Sequence, residues 1–182
     1  AMGSTFLGTA FNADISRWDI SSMVWMTNVF GPDFNSDIGR WNTHRVTIMS
    51  SMFTGCIHFN QDLGRWDTSN VLRMGSMFRQ CSAFNGNVSA WDVSKVQDFD
   101  SMFKEASAFN QDISRWKPAA ATDMEDMFRD ATSFNSPLCD WEQYLDSDVI
   151  TARMLYNTPK RSLCDVNECV GPNHNCDVVC TV

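Results

Sequence analysis

One feature limits the folds open to this chain more than any other: the dipeptide Phe-Asn returns at a constant interval. It occurs at Phe11-Asn12, Phe34-Asn35, Phe59-Asn60, Phe84-Asn85, Phe109-Asn110 and Phe134-Asn135, with one step of 23 residues followed by four of 25. Seven residues after each Phe stands a tryptophan, at Trp18, Trp41, Trp66, Trp91, Trp116 and Trp141, and only Trp25 lies outside this register. An apolar residue and a Met-x-x-Met-Phe element follow, as Val46, Met49, Met52 and Phe53 or Val71, Met74, Met77 and Phe78, and in variant form as Val96, Phe99, Met102, Phe103 and Ala121, Met124, Met127, Phe128. A fixed period of this length implies stacked supersecondary units, none of which buries its apolar face alone.

The two halves of each unit have different internal spacings. Around Trp66-Asp67-Thr68 buried-type residues alternate with a polar one, which predicts a short strand. The steps of three, three and one in Val71, Met74, Met77 and Phe78 predict about two turns of helix, with Ser69 or Asn70 as N-cap. The expected fold is an α/β solenoid, a leucine-rich-repeat-like stack of short strand plus short helix at 25 residues per repeat.

The motifs carry a resemblance. Ile15-x-x-Trp18-x-Ile20 stands where leucine-rich repeats have Leu-x-x-Leu-x-Leu, and Phe53-x-x-Cys56-x-x-Phe59 and Phe78-x-x-Cys81-x-x-Phe84 resemble a segment of the BspA-like repeats. The whole unit, Phe-Asn-Gln-Asp-Ile-Ser-x-Trp-Asp with a later Met-Phe, is still more similar to a surface-protein repeat family first catalogued in mycoplasmas as a domain of unknown function. The resemblance covers about residues 6–158. It implies an extracellular or cell-surface protein of leucine-rich-repeat-like build, and no particular activity.

Ala1-Met2-Gly3-Ser4 reads as a cloning scar, and Phe6-Leu7-Gly8-Thr9-Ala10 matches the closing segment of a unit. The repeat region is expected over 5–158, with units starting near 11, 34, 59, 84 and 109 and a degenerate capping unit from 134. In that cap Val149, Ala152, Leu155 and Tyr156 keep the three, three and one spacing. From 159 to 182 the chain changes character: Cys164, Cys169, Cys176 and Cys180 crowd a short tail, a density typical of an oxidising compartment. Cys139 and Cys164 flank the cap and form the preferred bridge.

Asp165-Val166-Asn167-Glu168-Cys169 resembles the opening of a calcium-binding EGF-like module. That resemblance implies calcium as the one cofactor, held by Asp165, the Val166 carbonyl and Glu168, and a Cys169–Cys180 disulfide. The ligand set is incomplete, because calcium takes about six to eight oxygens. A disulfide-tied loop without metal is the alternative. Cys56 and Cys81 occupy one column continued by Ala106 and Ala131. That column marks a site of small volume, where free buried thiols are favoured over a bridge.

A formal charge of −8, with no dense run of Lys or Arg, excludes nucleic acid as a partner. No apolar run approaches the ~20 residues that insertion across a bilayer requires. His44, His58 and His174 do not recur at repeat positions, and neither a nucleophile elbow nor a phosphate loop is present, so no enzyme is expected. The columns of Asn, Met and Trp read as repeat-building and core devices. The exposed face is more informative: Arg17 and Asp19, Arg40 and Asn42, Arg65 and Asp67, Ala90 and Asp92, Arg115 and Lys117 flank the tryptophans, with His44 and Pro118 as further departures from the pattern. Two readings of this Arg stripe beside an acidic stripe remain open: mutual charge compensation, or a regular surface for an extended partner. The function expected is an extracellular adhesion module for a protein or polysaccharide. The alternative is a structural spacer without a ligand of its own.

Overall fold

The computed structural model describes residues 1–145, 147–160 and 162–163. Successive units lie on one another as coils in parallel register. The column Trp25, Ile48, Arg73, Asp98, Asp123, Ile150 is joined by parallel bridges at each step. At the first coil β1 (Met2–Gly3) pairs with β2 (Met26–Thr27) in the same sense.

The coils are not built as the spacing predicts. Among the described residues there is no α-helix; β1 and β2 are the strands, and a 3-10 turn at Cys139–Trp141 is the helical element. The architecture is therefore not an α/β solenoid of strand plus helix units. The roles of the two halves are in fact exchanged. The Trp segment is a run of turns, with the Trp66 N–H donating to Leu63 O (3.0 Å) and the Val71 N–H to Thr68 O (2.9 Å). The Met segment, read as helical, carries the ladder. The N–H groups of Met74, Ser76, Phe78 and Gln80 donate to Asp98, Asp100, Met102 and Lys104 of the next coil, while those of Met77, Arg79 and Cys81 close turns onto Met74, Ser76 and Phe78.

The physical reason lies in the backbone. Ser51, Ser76, Ser101, Asp126 and Arg153 form one column of left-handed residues (φ 54 to 58°), and Gly55, Gln80, Glu105, Asp130 and Asn157 form a second (φ 57 to 75°). Ser76 and Gln80 are the third residues of the turns 74–77 and 78–81, and a left-handed residue there reverses the winding before a helix propagates. Consecutive turns still point every third residue inward, so the apolar spacing mimics a helix. No helix starts at Ser69 or Asn70; Ser69 instead donates to Asp67 Oδ1, and Asn70 Nδ2 to the His44 carbonyl.

The core is a set of ladders. Phe30, Phe53, Phe78, Phe103 and Phe128 stack at 5.4 to 5.6 Å between ring centroids. Phe34, Phe59, Phe84, Phe109 and Phe134 form a second column at 5.8 to 6.0 Å. Trp66, Trp91, Trp116 and Trp141 form a third at 6.2 Å. The Met columns are fully buried beside them, as their reading as core requires. Each buried aromatic contributes roughly 1.5–3 kcal/mol by leaving water, so the apolar surface is what holds the coils together. From Trp41 to Trp141 the column also anchors its coils, the indole Nε1 of Trp66 donating to Ile38 O (3.0 Å) and that of Trp91 to Leu63 O (2.9 Å), whereas Trp18 at the first coil is 43 % exposed.

Two stretches of sequence join this pattern that the motif search missed. Met26, Val29 and Phe30 are buried at the stations of Met49, Met52 and Phe53, and Trp25 occupies the bridging column. At the other end the register differs from the expected one. The step from Asp123 to Ile150 is 27 residues, so Met154 and Leu155 fall at the stations of Met127 and Phe128, while Ala152 and Tyr156 are exposed. Met2 and Gly3, read as scar, pair with the second coil.

Two substitutions test this account. Gln80→Gly places at a left-handed station the residue that Gly55 supplies one coil earlier, and is expected to stabilise the fold by about 0.5–1 kcal/mol. Trp66→Phe removes the indole donor from Ile38 O, which keeps the Trp41 N–H, and is expected to cost about 0.5–1.5 kcal/mol. Urea unfolding followed by circular dichroism reads both.

Candidate functional site

The turns place the expected site residues as a strand would have done. Arg17, Asp19, Arg40, Asn42, His44, Arg65, Asp67, Asp92, Arg115 and Lys117 are all exposed, on the face opposite the buried Trp and Thr positions. The in-and-out alternation holds without a strand because each carboxylate pins a turn. Asp67 Oδ1 accepts from the Ser69 N–H (3.0 Å), Asp92 Oδ1 from Ser94 (2.9 Å) and Asp19 Oδ1 from Ser21 (2.9 Å). On the other side of the Arg column, Asp14, Asp37, Asp62 and Asp112 do the same for Ser16, Gly39, Gly64 and Ser114. Hydrogen bonds from the Ser69 and Ser94 side chains and N–H groups hold the Asp67 and Asp92 carboxyls below their ordinary range. Asp67 and Asp92 are therefore charged at neutral pH.

The Arg column behaves differently. Arg17, Arg40, Arg65 and Arg115 form none of the ion pairs found among the described residues, which all gather around Glu125, Asp126 and Asp130. Four guanidinium groups thus project at one station, flanked by carboxylates committed to backbone turns. Where Ala90 interrupts the column, the surface dips into a shallow depression lined by Ser89, Ala90, Trp91, Asp92, Gln111, Asp112 and Arg115. A second depression, lined by Ser114, Arg115, Trp116, Lys117, Asp140, Gln143 and Tyr144, shares Arg115 with it. His44 is turned onto its own coil, with Nδ1 2.8 Å from Asn42 Oδ1.

Other columns resolve as framework. Asn12, Asn35, Asn60, Asn85 and Asn110 each accept the backbone N–H of the next asparagine, at 2.8 to 3.0 Å. Cys56 and Cys81 are free, fully buried thiols, donating to Gly31 O (3.1 Å) and Phe53 O (2.8 Å), with no bridge between them. Burial pushes the Cys56 thiol up to about 12 and drives that of Cys81 well above its usual value.

Sequence reading missed a buried charge node. Asp126 sits at a station that is serine in three preceding coils and is gripped by Lys104 Nζ (2.6 Å), Arg153 Nε (2.8 Å) and Arg129 (3.3 Å). Burial opposes ionisation there, yet these cations hold its carboxyl below the ordinary range. The departure from serine was the only signal in the sequence. Among the described residues no group of three or more His, Cys, Asp and Glu is placed to hold a metal ion. The expected calcium ligands Asp165, Val166 and Glu168, and the bridges Cys139–Cys164 and Cys169–Cys180, involve positions outside the described residues.

The pattern of a family described as Mycoplasma protein of unknown function, DUF285, matches residues 1–77 and 59–162. The chain belongs to this family. No curated protein and no solved structure matches it. DUF285 membership accounts for the repeat and leaves the activity open.

Two solution measurements follow. The depressed Asp67, Asp92 and Asp112 carboxyls contribute stability that is present above the ordinary carboxylate range and lost as pH falls through their lowered values. Asp98, raised chiefly by burial, has the opposite sign and offsets only part of this. Asp67→Asn with Asp92→Asn keeps the turns, as Asn87 does for Ser89, and is expected to flatten the acid limb of a pH–stability curve. Cys56 and Cys81 are expected to resist a thiol reagent in native protein at mildly alkaline pH and to react once urea unfolds the chain.

Proposed function

We propose that this chain is an extracellular or cell-surface recognition module that binds a protein or polysaccharide along the face flanking the Trp column. The observation that carries the reading is the set of guanidinium groups at Arg17, Arg40, Arg65 and Arg115, repeated at coil spacing and left outside the ion pairs that the other charges make. An arginine held on a rigid ladder presents its donors with little further loss of freedom, which favours recognition of a regular polymer. The two depressions that meet at Arg115, one beside Ala90 and one beside Lys117, are where such a polymer finds a contact that differs from coil to coil.

A second reading, a spacer with no ligand, draws support from the unbroken ladder between Met2 and Ile150, which gives the rigidity a spacer needs. In that reading the tail at 159–182, with its partial EGF-like resemblance, stiffens on binding calcium.

Arg40→Ala, Arg65→Ala and Arg115→Ala combined separate the two. Recognition predicts binding on a glycan array or in a pull-down from cell-surface extract that falls at least about tenfold in the triple variant, with stability changed by less than ~0.5 kcal/mol per site. Binding that survives the change removes this face as the site. Absence of any ligand, with calcium-dependent stabilisation of the intact tail, favours the spacer.

A further inference from the structure

Away from the Arg face, the bridging ladder presents a second surface that its structural role does not explain. Two adjacent residues of each coil point outward at this corner: Val24 and Trp25, Thr47 and Ile48, Leu72 and Arg73, Gln97 and Asp98, Thr122 and Asp123. The two columns are locked in register by N–H donation from Thr47, Leu72, Gln97 and Thr122 to the preceding coil. Their composition is segregated along the stack. The first three coils expose Val24, Trp25 (53 %) and Leu72 (40 %), with Ile48 half-buried beside them and the exposed Arg73 marking the boundary with the acidic half. The next two carry Asp98 and Asp123, one coil apart, with Asp100 close by.

Asp98 and Asp123 each cap a turn by accepting from the Asp100 and Glu125 N–H groups, a task that asparagine performs without charge, while the exposed Val24, Trp25 and Leu72 side chains lie outside the core. Apolar side chains at this corner face water, although the same backbone geometry accepts Gln97 and Thr122 two coils later. A contiguous exposed patch containing a tryptophan is the composition of an interaction surface. Burial opposes the ionisation of Asp98, as do the charges of Asp123 and Asp100, and the Asp100 N–H and Arg73 compensate only in part, leaving its carboxyl raised. A cation placed over this pair relieves that repulsion.

These facts together choose the occupant. A second copy of the chain pairing two-fold along the whole stripe lays Trp25 over Asp123 when antiparallel, or the carboxylates of Asp98 and Asp123 over their own copies when parallel, and either way brings together two bodies of charge −8. A partner with apolar groups at one end and cations at the other meets both halves. Four coil steps of ~4.8 Å separate Trp25 from Asp123, about 19 Å, the reach of roughly six extended residues.

We propose that the outward corner of the ladder, from Val24 and Trp25 through Leu72 to Asp98 and Asp123, docks an extended polypeptide segment whose aliphatic residues precede lysine or arginine. The site is independent of the Arg face.

A fluorescein-labelled peptide Leu-Val-Leu-Ser-Lys-Lys and its Leu-Val-Leu-Ser-Glu-Glu counterpart, titrated with the full chain and followed by anisotropy, test this. The lysine peptide is expected to bind saturably, more weakly as salt rises, and the glutamate peptide not to bind. Asp98→Asn with Asp123→Asn keeps the turns that these side chains cap and is expected to weaken binding at least tenfold, as is Trp25→Ser with Leu72→Ser. All four side chains lie outside the core, so an unchanged melting temperature confirms that each variant is folded. Equal binding of both peptides, binding of neither, or binding unaffected by both variants overturns the proposal. So does self-association in sedimentation that Leu72→Ser abolishes, which identifies a second copy as the occupant.

Discussion

Everything in this fold depends on how backbone N–H groups are shared in the Met segment. Alternate donors reach across to the next coil and the intervening ones close a turn within their own. That division is possible only because a left-handed residue, such as Ser76 or Gln80, stands at the third position of a turn and re-aims the chain. The cost of those dihedrals, about 1–2 kcal/mol each for a residue other than glycine, is offset by the aromatic columns, which stack only when the coils stay in register. Polar side chains then complete the hydrogen bonding that the turns leave open: asparagines pair with the next coil's backbone, aspartates with the N–H two residues on, and indoles with a carbonyl of the preceding coil.

This framework explains why so much polar chemistry in the sequence is structural. A column of identical aspartates looks like a charged surface; nearly every member caps a turn. What the framework leaves unused is correspondingly informative. The arginines beside the tryptophans and the apolar corner around Trp25 serve no coil-to-coil contact, and they lie on different parts of the surface.

Much of this arrangement is legible in the sequence because a repeat writes its burial pattern several times. The inward columns, the small-residue site at Cys56 and Cys81, and the exposure of Arg40, Arg65 and Arg115 all follow from spacing alone. Conformation does not, since steps of three arise equally from a helix and from successive turns; the lone glycine at 55 was the one visible hint of the left-handed column. Trp25 escaped because bridging positions change chemistry from coil to coil, from tryptophan to isoleucine, arginine and aspartate. The last coil was misregistered because its step is 27 residues and its aromatic station holds Leu155.

The ladder's bonds also have a direction. Asparagine backbones, such as that of Asn85, and indoles, such as that of Trp91, rely on the coil before them. Met74, Ser76, Phe78 and Gln80 rely on the coil after them. Peeling the stack from its front therefore strands one set of donors, and peeling it from its rear strands another. The two faces laid bare are therefore unlike, so the stack is polar: a coil added at one face meets open Met-segment donors, and at the other open asparagine and indole donors.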